Sequence, residues 1–222
     1  MHSRSWSEWI SELTRCQVSV LSGYPGQMAK RAESGRPGYN EGREALLEAT
    51  VRVVAEHGLR GLTYRRVAEA AQTTHALVSY HFGSWDALIL EAAARADAES
   101  LADTSFETPP RRAADFAREL PDRAQREAHD HAFQFELALE ARRRPDLGEA
   151  VRARYEHYFE TTRDALRALD IDLGDDEQAA SRLLFAAIDG LMLQQLIFED
   201  PERTREAIAL LQRLLGELQE RG

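Results

Sequence analysis

Two stretches of this chain carry side chains that could do chemistry. The first is Thr74-His75-Ala76 with Ser79, Tyr80 and His81 behind it, a set of hydroxyl, imidazole and phenol groups able to hydrogen-bond base edges and phosphate oxygens. The second is His129-Asp130-His131, two imidazoles around a carboxylate, which are ligand types of helical metal-dependent phosphohydrolases. Successive helical residues turn by about 100°, so His129 and His131 do not easily share one metal from regular geometry. Such an enzyme also needs several distant His and Asp ligands gathered on the same ion. Solvated polar residues, or a cap near a helix start, account better for the triplet. No Ser/His/Asp order, phosphate-cradling glycine loop or activated cysteine stands out elsewhere, so the expectation is a non-enzyme with neither cofactor nor metal.

The first set needs a helix presented by a second one. Thr63 can cap a helix whose small apolar face is Val67, Ala68, Ala70 and Ala71, and small residues let another helix cross closely. Thr73 and Thr74 supply the turn and the next cap. Ala76, Leu77 and Val78 then carry a second helix that stops near Gly83. Two helices joined this tightly form a helix-turn-helix, whose second member enters the major groove with its N-terminal side chains against base edges. His75 and Ala76 are thereby expected to face the groove. The wider contact set is Thr63, Tyr64 and Arg65 on the first helix, Thr74, Ser79, Tyr80 and His81 on the second, and Trp85 beyond it.

The segment around this motif resembles the DNA-binding domain of the tetracycline-repressor (TetR) family of one-component transcriptional regulators. Arg43-Glu44-Ala45-Leu46-Leu47-Glu48-Ala49 through Val54-Ala55-Glu56-His57-Gly58 looks like the family's first helix and its glycine stop. Leu62-Thr63 with Val67-Ala68-Glu69-Ala70-Ala71 looks like its second helix. Tyr80-His81-Phe82-Gly83-Ser84 with Asp86-Ala87-Leu88 looks like the end of the recognition helix and the start of the fourth. Three departures stand out. Gln72 and Thr73 occupy the turn where the family usually has glycine and an apolar residue, which suggests a wider turn or one held by side-chain hydrogen bonds. Ser79 replaces the usual first tyrosine of the recognition helix. Trp85 replaces a lysine that typically grips phosphate, and its indole N–H brings a donor without a charge, which should slightly lower the salt dependence of binding.

The net charge of −10 looks wrong for a DNA binder until the chain is divided. Residues 1–82 hold 10 Lys/Arg against 8 Asp/Glu, or +2, and residues 83–222 hold 18 against 30, or −12. The acidic part should sit away from the duplex. The single cysteine, Cys16, excludes an internal disulfide and a thiolate metal cluster. Asp189 divides the most apolar run, Leu183 to Phe198, below the roughly 20 residues needed to cross a bilayer. Residues 1–25 lack a long apolar core of a signal peptide, so a cytoplasmic setting is expected.

Three regions follow. Residues 1–40 form an N-terminal extension, within which residues 29–38 read as a flexible, net basic arm; Arg36 could reach the minor groove, where an inserted arginine feels enhanced negative potential. Residues 41–88 form the helix-turn-helix domain. Residues 89–222 form a larger helical domain, so the fold class is all-α.

From Asp86 onward the pattern is helical, with breaks at Pro109-Pro110, Pro121, Pro145, Gly174 and Asp200-Pro201. The family resemblance implies that a fourth helix, Asp86 to Ala102, joins the domains and that two C-terminal helices from each subunit pack as a four-helix dimer interface. Leu183, Ala187 and Leu191 on one helix and Ile208, Leu211 and Leu215 on the next are the interface candidates. A homodimer places two recognition helices roughly 34 Å apart on a palindromic operator. Phe106, Phe116, His131, Phe135, Tyr155 and Phe159, with Met192 and Gln195 from the eighth helix, are candidates for a small, partly hydrophobic effector's pocket; Phe133, Leu137 and Tyr158 belong to the same inventory. The expected activity is repression of transcription relieved by that effector. A nonspecific architectural DNA binder is the alternative without one.

Overall fold

The structure is a computed structural model that describes residues 39–102 and 109–220. Cys16 and Arg36, with residues 1–38 of the N-terminal extension, and Phe106 lie outside the described residues. Among those described there is no strand, and the α-helices in chain order are α1 (Tyr39–Gly61), α2 (Tyr64–Ala70), α3 (His75–Phe82), α4 (Trp85–Ala102), α5 (Leu120–Arg126), α6 (Ala128–Glu140), α7 (Pro145–Ala168), α8 (Glu177–Phe198) and α9 (Pro201–Gln219).

Each boundary has a local cause. Helix α1 breaks at Gly58, whose φ of 67° and ψ of 167° leave the helical region, so the glycine stop falls where the sequence places it. Thr63 caps α2, its hydroxyl accepting from the Arg66 N–H at 3.2 Å. Gly83 ends α3 with φ 68°. The prolines begin helices more than they interrupt them. Pro145 and Pro201 occupy the first positions of α7 and α9, where a missing N–H costs nothing, and Pro121 lies in the first turn of α5. Asp200 caps α9 by accepting from the Arg203 N–H at 3.3 Å.

Two apolar clusters hold the chain together. One gathers Leu46, Val54, Val67, Val78, Phe82 and Leu88 from α1–α4 together with Phe133 and Leu137 of α6 and Leu147 of α7. The other joins Phe116 and Leu120 to Leu166 and Leu169, to Leu184, Ile188 and Met192 of α8, and to Ile208 and Leu215 of α9. Helix α6 belongs to both, because Phe133 and Leu137 pack into the first while Phe135 packs against the second. Helix α7 reaches both as well, through Leu147 in the first and Leu166 in the second.

Helix α8 differs from its sequence reading in one respect. The run Gly174–Phe198 is 25 residues and contains an 18-residue window of mean hydropathy 1.3, long and apolar enough by length and composition to cross a membrane despite Asp189. One face, Ser181, Leu184, Phe185, Ile188, Met192 and Gln195, is buried within the protein, which is how a core helix uses such a composition.

Candidate DNA-binding surface and effector site

The helix-turn-helix is closed by backbone hydrogen bonds. Gln72 takes a left-handed conformation, φ 53°. The Thr73 N–H donates to the Ala68 carbonyl at 2.8 Å and the Gln72 N–H to the Glu69 carbonyl at 3.1 Å, the paired bonds of a Schellman turn. The expectation of a widened or side-chain-held turn is thus corrected: Gln72 occupies the glycine's place and accepts its backbone angles. Thr74 stands at the N-cap of α3 but makes no side-chain capping bond, so its hydroxyl is not tied to the helix.

Val78 and Phe82 anchor α3 in the core and leave its other face outward. Thr74, His75, Ala76, Ser79 and Tyr80 are exposed, Tyr80 at 72%. Its ring meets the edge of the His81 imidazole, 5.4 Å between centroids, so the exposed tyrosine is braced by its neighbour rather than buried with Phe82. Thr63 and Arg65 are exposed on α2, and Arg65 also meets Glu69 at 3.5 Å. His81 is partly buried, and burial with the neighbouring Arg43 holds its imidazole below the usual histidine range. Arg43 lies over the Phe82 ring at 5.1 Å and pairs with Glu91, fastening α1 to α4 behind the recognition helix.

Tyr64 and Trp85 are brought together. Their rings stack at 4.0 Å between centroids, 12° from parallel, which joins the start of α2 to the start of α4. Trp85 is thus a packing residue as well as a candidate phosphate donor. Arg144, at the end of the α6–α7 turn, reaches the same corner: its Nη2 donates to Asp86 Oδ1 at 2.5 Å and to Asp146 Oδ2 at 2.6 Å.

The effector candidates divide into two groups. Phe116, Met192 and Gln195 are buried among α5, α8 and α9, and Gln195 Nε2 donates to the Pro121 carbonyl at 2.8 Å. Phe133 and Leu137 are core residues on the DNA-binding side. The other group is partly buried: His131, Phe135, Tyr155 and Phe159. Tyr155, Tyr158 and Phe159 surround Phe185, with ring centroids 5.7, 4.9 and 5.7 Å from it. Tyr155 Oη donates to Asp189 Oδ2 at 3.3 Å. Burial first, and the Asp189 charge second, push the Tyr155 phenol up to about 12, while burial raises the Asp189 carboxyl. Phe185 and Asp189 escaped the sequence reading of this site. The signal was an acid in the middle of the most apolar helix, four residues after a phenylalanine.

The neighbouring His129-Asp130-His131 residues diverge. His129 Nε2 lies 3.8 Å from Glu56 Oε1, Asp130 faces Arg95, and burial lowers the His131 imidazole. No group of three or more possible metal ligands occurs among the described residues. The surface carries clefts at two corners. One of about 390 Å³ runs between His57, Gly58, Leu59 and Arg60 at the end of α1 and Glu136, Leu139, Glu140 and Arg143 on and after α6; another, about 130 Å³, lies at the α8–α9 corner around Gln195, Phe198 and Thr204.

On the interface candidates, the structure separates inner from outer positions. Ile208 and Leu215 are 3% and 4% exposed and belong to the chain's own core, so they do not face outward as expected. Leu183 and Ala187 do face outward, Leu191 and Leu211 are partly buried, and the exposed row continues through Leu193 and Ile197 on α8 and Leu210, Leu214 and Leu218 on α9.

Residues 46–92 match the family model of bacterial regulatory proteins of the tetR family, and residues 108–217 match the tetracyclin repressor-like C-terminal domain. The chain belongs to the TetR family. It is 42% identical over 65 residues to the HTH-type transcriptional repressor AcnR of Corynebacterium efficiens, a match covering 29% of this chain and 34% of that repressor. The match therefore spans about a third of the length of that relative. Among solved structures, Salmonella enterica GusR has a TM-score of 0.64 at 21% identity, covering 81% of this chain and 95% of that one. The multidrug binding protein EbrR complexed with proflavin has a TM-score of 0.51 at 27% identity, covering 78% and 99%.

Proposed function

We propose that this chain is a cytoplasmic, non-catalytic repressor of transcription that binds a palindromic operator as a homodimer and leaves it when a small effector binds. The observation that carries this reading is the outward face of α3, where Thr74, His75, Ala76, Ser79 and Tyr80 stand exposed on a helix anchored by Val78 and Phe82. Polar and small side chains on the N-terminal turns of a braced helix suit base-edge reading, and the exposed Tyr80, Thr63 and Arg65 are the proposed phosphate contacts.

Dimerisation is supported by the exposed apolar row on α8 and α9, because a row containing Leu183, Ile197, Leu210 and Leu214 is costly to leave in water. The effector site is supported by the aromatic group around Phe185, with Asp189 and Tyr155 as polar handles. EbrR, which binds the flat aromatic molecule proflavin, is a relevant comparison.

Helix α6 gives the two sites a shared part. Its Glu136 carboxylate accepts from the Leu59 N–H at 3.5 Å beside the Gly58 break, and its Phe133 and Leu137 sit in the DNA-binding core. An effector lodged between α6, α7 and α8 would move that lever and respace the two recognition helices. It shifts the equilibrium only by its preference for the released conformer, and a 10⁴-fold change in population ratio takes about 5.5 kcal/mol. Electrophoretic shift with the promoter of its own or a neighbouring gene tests the reading: sequence-dependent binding at moderate salt supports it, and its absence refutes it.

A further inference from the structure

We propose that the turn between α6 and α7, Arg142-Arg143-Arg144, is a second DNA contact that grips the phosphate backbone beside the helix-turn-helix; this rests on the DNA-binding reading above. The position of the turn is the first observation. Arg144 ties it to Asp86 in the first turn of α4, and the adjacent Trp85 is stacked on Tyr64 at the start of α2. Helix starts direct free N–H groups toward a phosphate. The turn therefore lies against the start of α4, whose Trp85 belongs to the proposed DNA-facing set.

Charge is the second observation. Residues 83–222 carry −12 in total, yet three consecutive arginines make up this turn. Their surroundings assign them different work. Arg144 is partly buried and held by two carboxylates, Asp86 and Asp146, so it positions the turn. Arg143 is exposed and donates to Glu140 at 2.6 Å, a surface pair that a phosphate can displace because such pairs contribute little in water. Arg142 is exposed and enters no ion pair among the described residues. A guanidinium is planar, permanently charged and able to bind phosphate with two donors at once.

Chemistry at the start of α4 is the third. Trp85 supplies a donor but no charge there, and Asp86 beside it is repelled by phosphate unless neutralised. Arg144 pairs with Asp86, and Arg142 and Arg143 are exposed guanidiniums on the same turn, Arg143 beside the cleft that His57–Arg60 also line. The contact is to the backbone, so it raises affinity for every duplex alike and leaves base preference to α3.

The test is the salt dependence of binding by the full chain, read by fluorescence anisotropy on an operator duplex and on a scrambled duplex. For Arg142→Gln/Arg143→Gln the slope of log K against log salt should fall by about 0.9 for each phosphate the variant no longer neutralises. Affinity should drop by the same factor on both duplexes, with preference for operator unchanged. Arg142→Lys/Arg143→Lys should restore most of the slope, and unfolding midpoints of all three proteins should coincide. An unchanged slope in a folded Gln variant overturns this proposal while leaving operator reading intact. A wild-type protein with no operator preference overturns the reading on which it rests.

Discussion

Trp85 lies flat on Tyr64, with 4.0 Å between ring centroids, and this pair holds the starts of α4 and α2 against each other. From sequence, Trp85 has a single expected task at the phosphate; the structure adds a packing contact between two helices. A double-mutant cycle with Tyr64→Ala and Trp85→Ala should therefore show a coupling of about 0.5–1.5 kcal/mol in urea unfolding. Trp85→Phe should retain more stability than Trp85→Ala. Additive effects would mean that the stack contributes nothing.

Gln72 sits at φ 53° in the Schellman turn. A left-handed residue with a Cβ costs roughly 1–2 kcal/mol, while glycine adds about 0.5–1 kcal/mol of unfolded-state entropy. Gln72→Gly should raise the unfolding free energy by up to about 1.5 kcal/mol on this balance. Operator affinity per folded molecule should stay the same.

Tyr80 and His75 are exposed on α3, so their substitutions should separate recognition from folding. Tyr80→Ala should leave stability within about 0.5 kcal/mol and weaken DNA binding. His75→Ala should relax sequence choice by roughly 1–3 kcal/mol of discrimination. Competition with single-base operator variants measures that discrimination.

The outward and inward leucine rows of α8 and α9 should also separate. Leu183→Arg with Leu214→Arg, both at exposed positions, should shift sedimentation toward the monomer with a folded spectrum retained. Ile208→Ala, in the core, should instead destabilise the fold by roughly 2–5 kcal/mol.

His131 gives the expected pH response its sign. Burial holds its imidazole below the usual value of 6.5, with Arg123 adding to the effect and Glu127 opposing it. The native state thus binds fewer protons than the unfolded chain, and the contribution is complete above that value and lost as pH falls below it. The His131 contribution to the unfolding free energy in urea should fall from about pH 7.5 toward pH 5, by at most about 1.4 kcal/mol per pH unit, opposed by the raised carboxyls of Glu91, Asp130 and Asp189. His131→Gln should flatten part of that fall. His81, lowered by its own burial and by Arg43, acts in the same direction.

What was legible in the sequence was whatever local chemistry decides. The Thr63 cap, the Gly58 break and the Gly83 stop follow from single residues with strong conformational preferences, and all three fall where expected. What was not legible depends on which side of a helix meets a neighbour. Ile208 and Leu215 share a spacing pattern with Leu211, yet they turn inward while Leu210, Leu214 and Leu218 turn out. Helix α9 is apolar on two sides, and spacing alone cannot distinguish a core row from an interface row. Asp189 could be placed in the aromatic group only once α7 and α8 had brought Tyr155 alongside it. Gln72 hid a standard turn because its side chain says nothing of the backbone angles it tolerates.

Sequence-selective DNA binding is the central claim, and footprinting the protein on the promoter of its own or a neighbouring gene, with a scrambled duplex as competitor, tests it most directly. The account predicts a two-fold symmetric protected site with half-sites one helical turn or a multiple of it apart, little displaced by the scrambled competitor. Uniform protection, erased equally by any duplex, would contradict it.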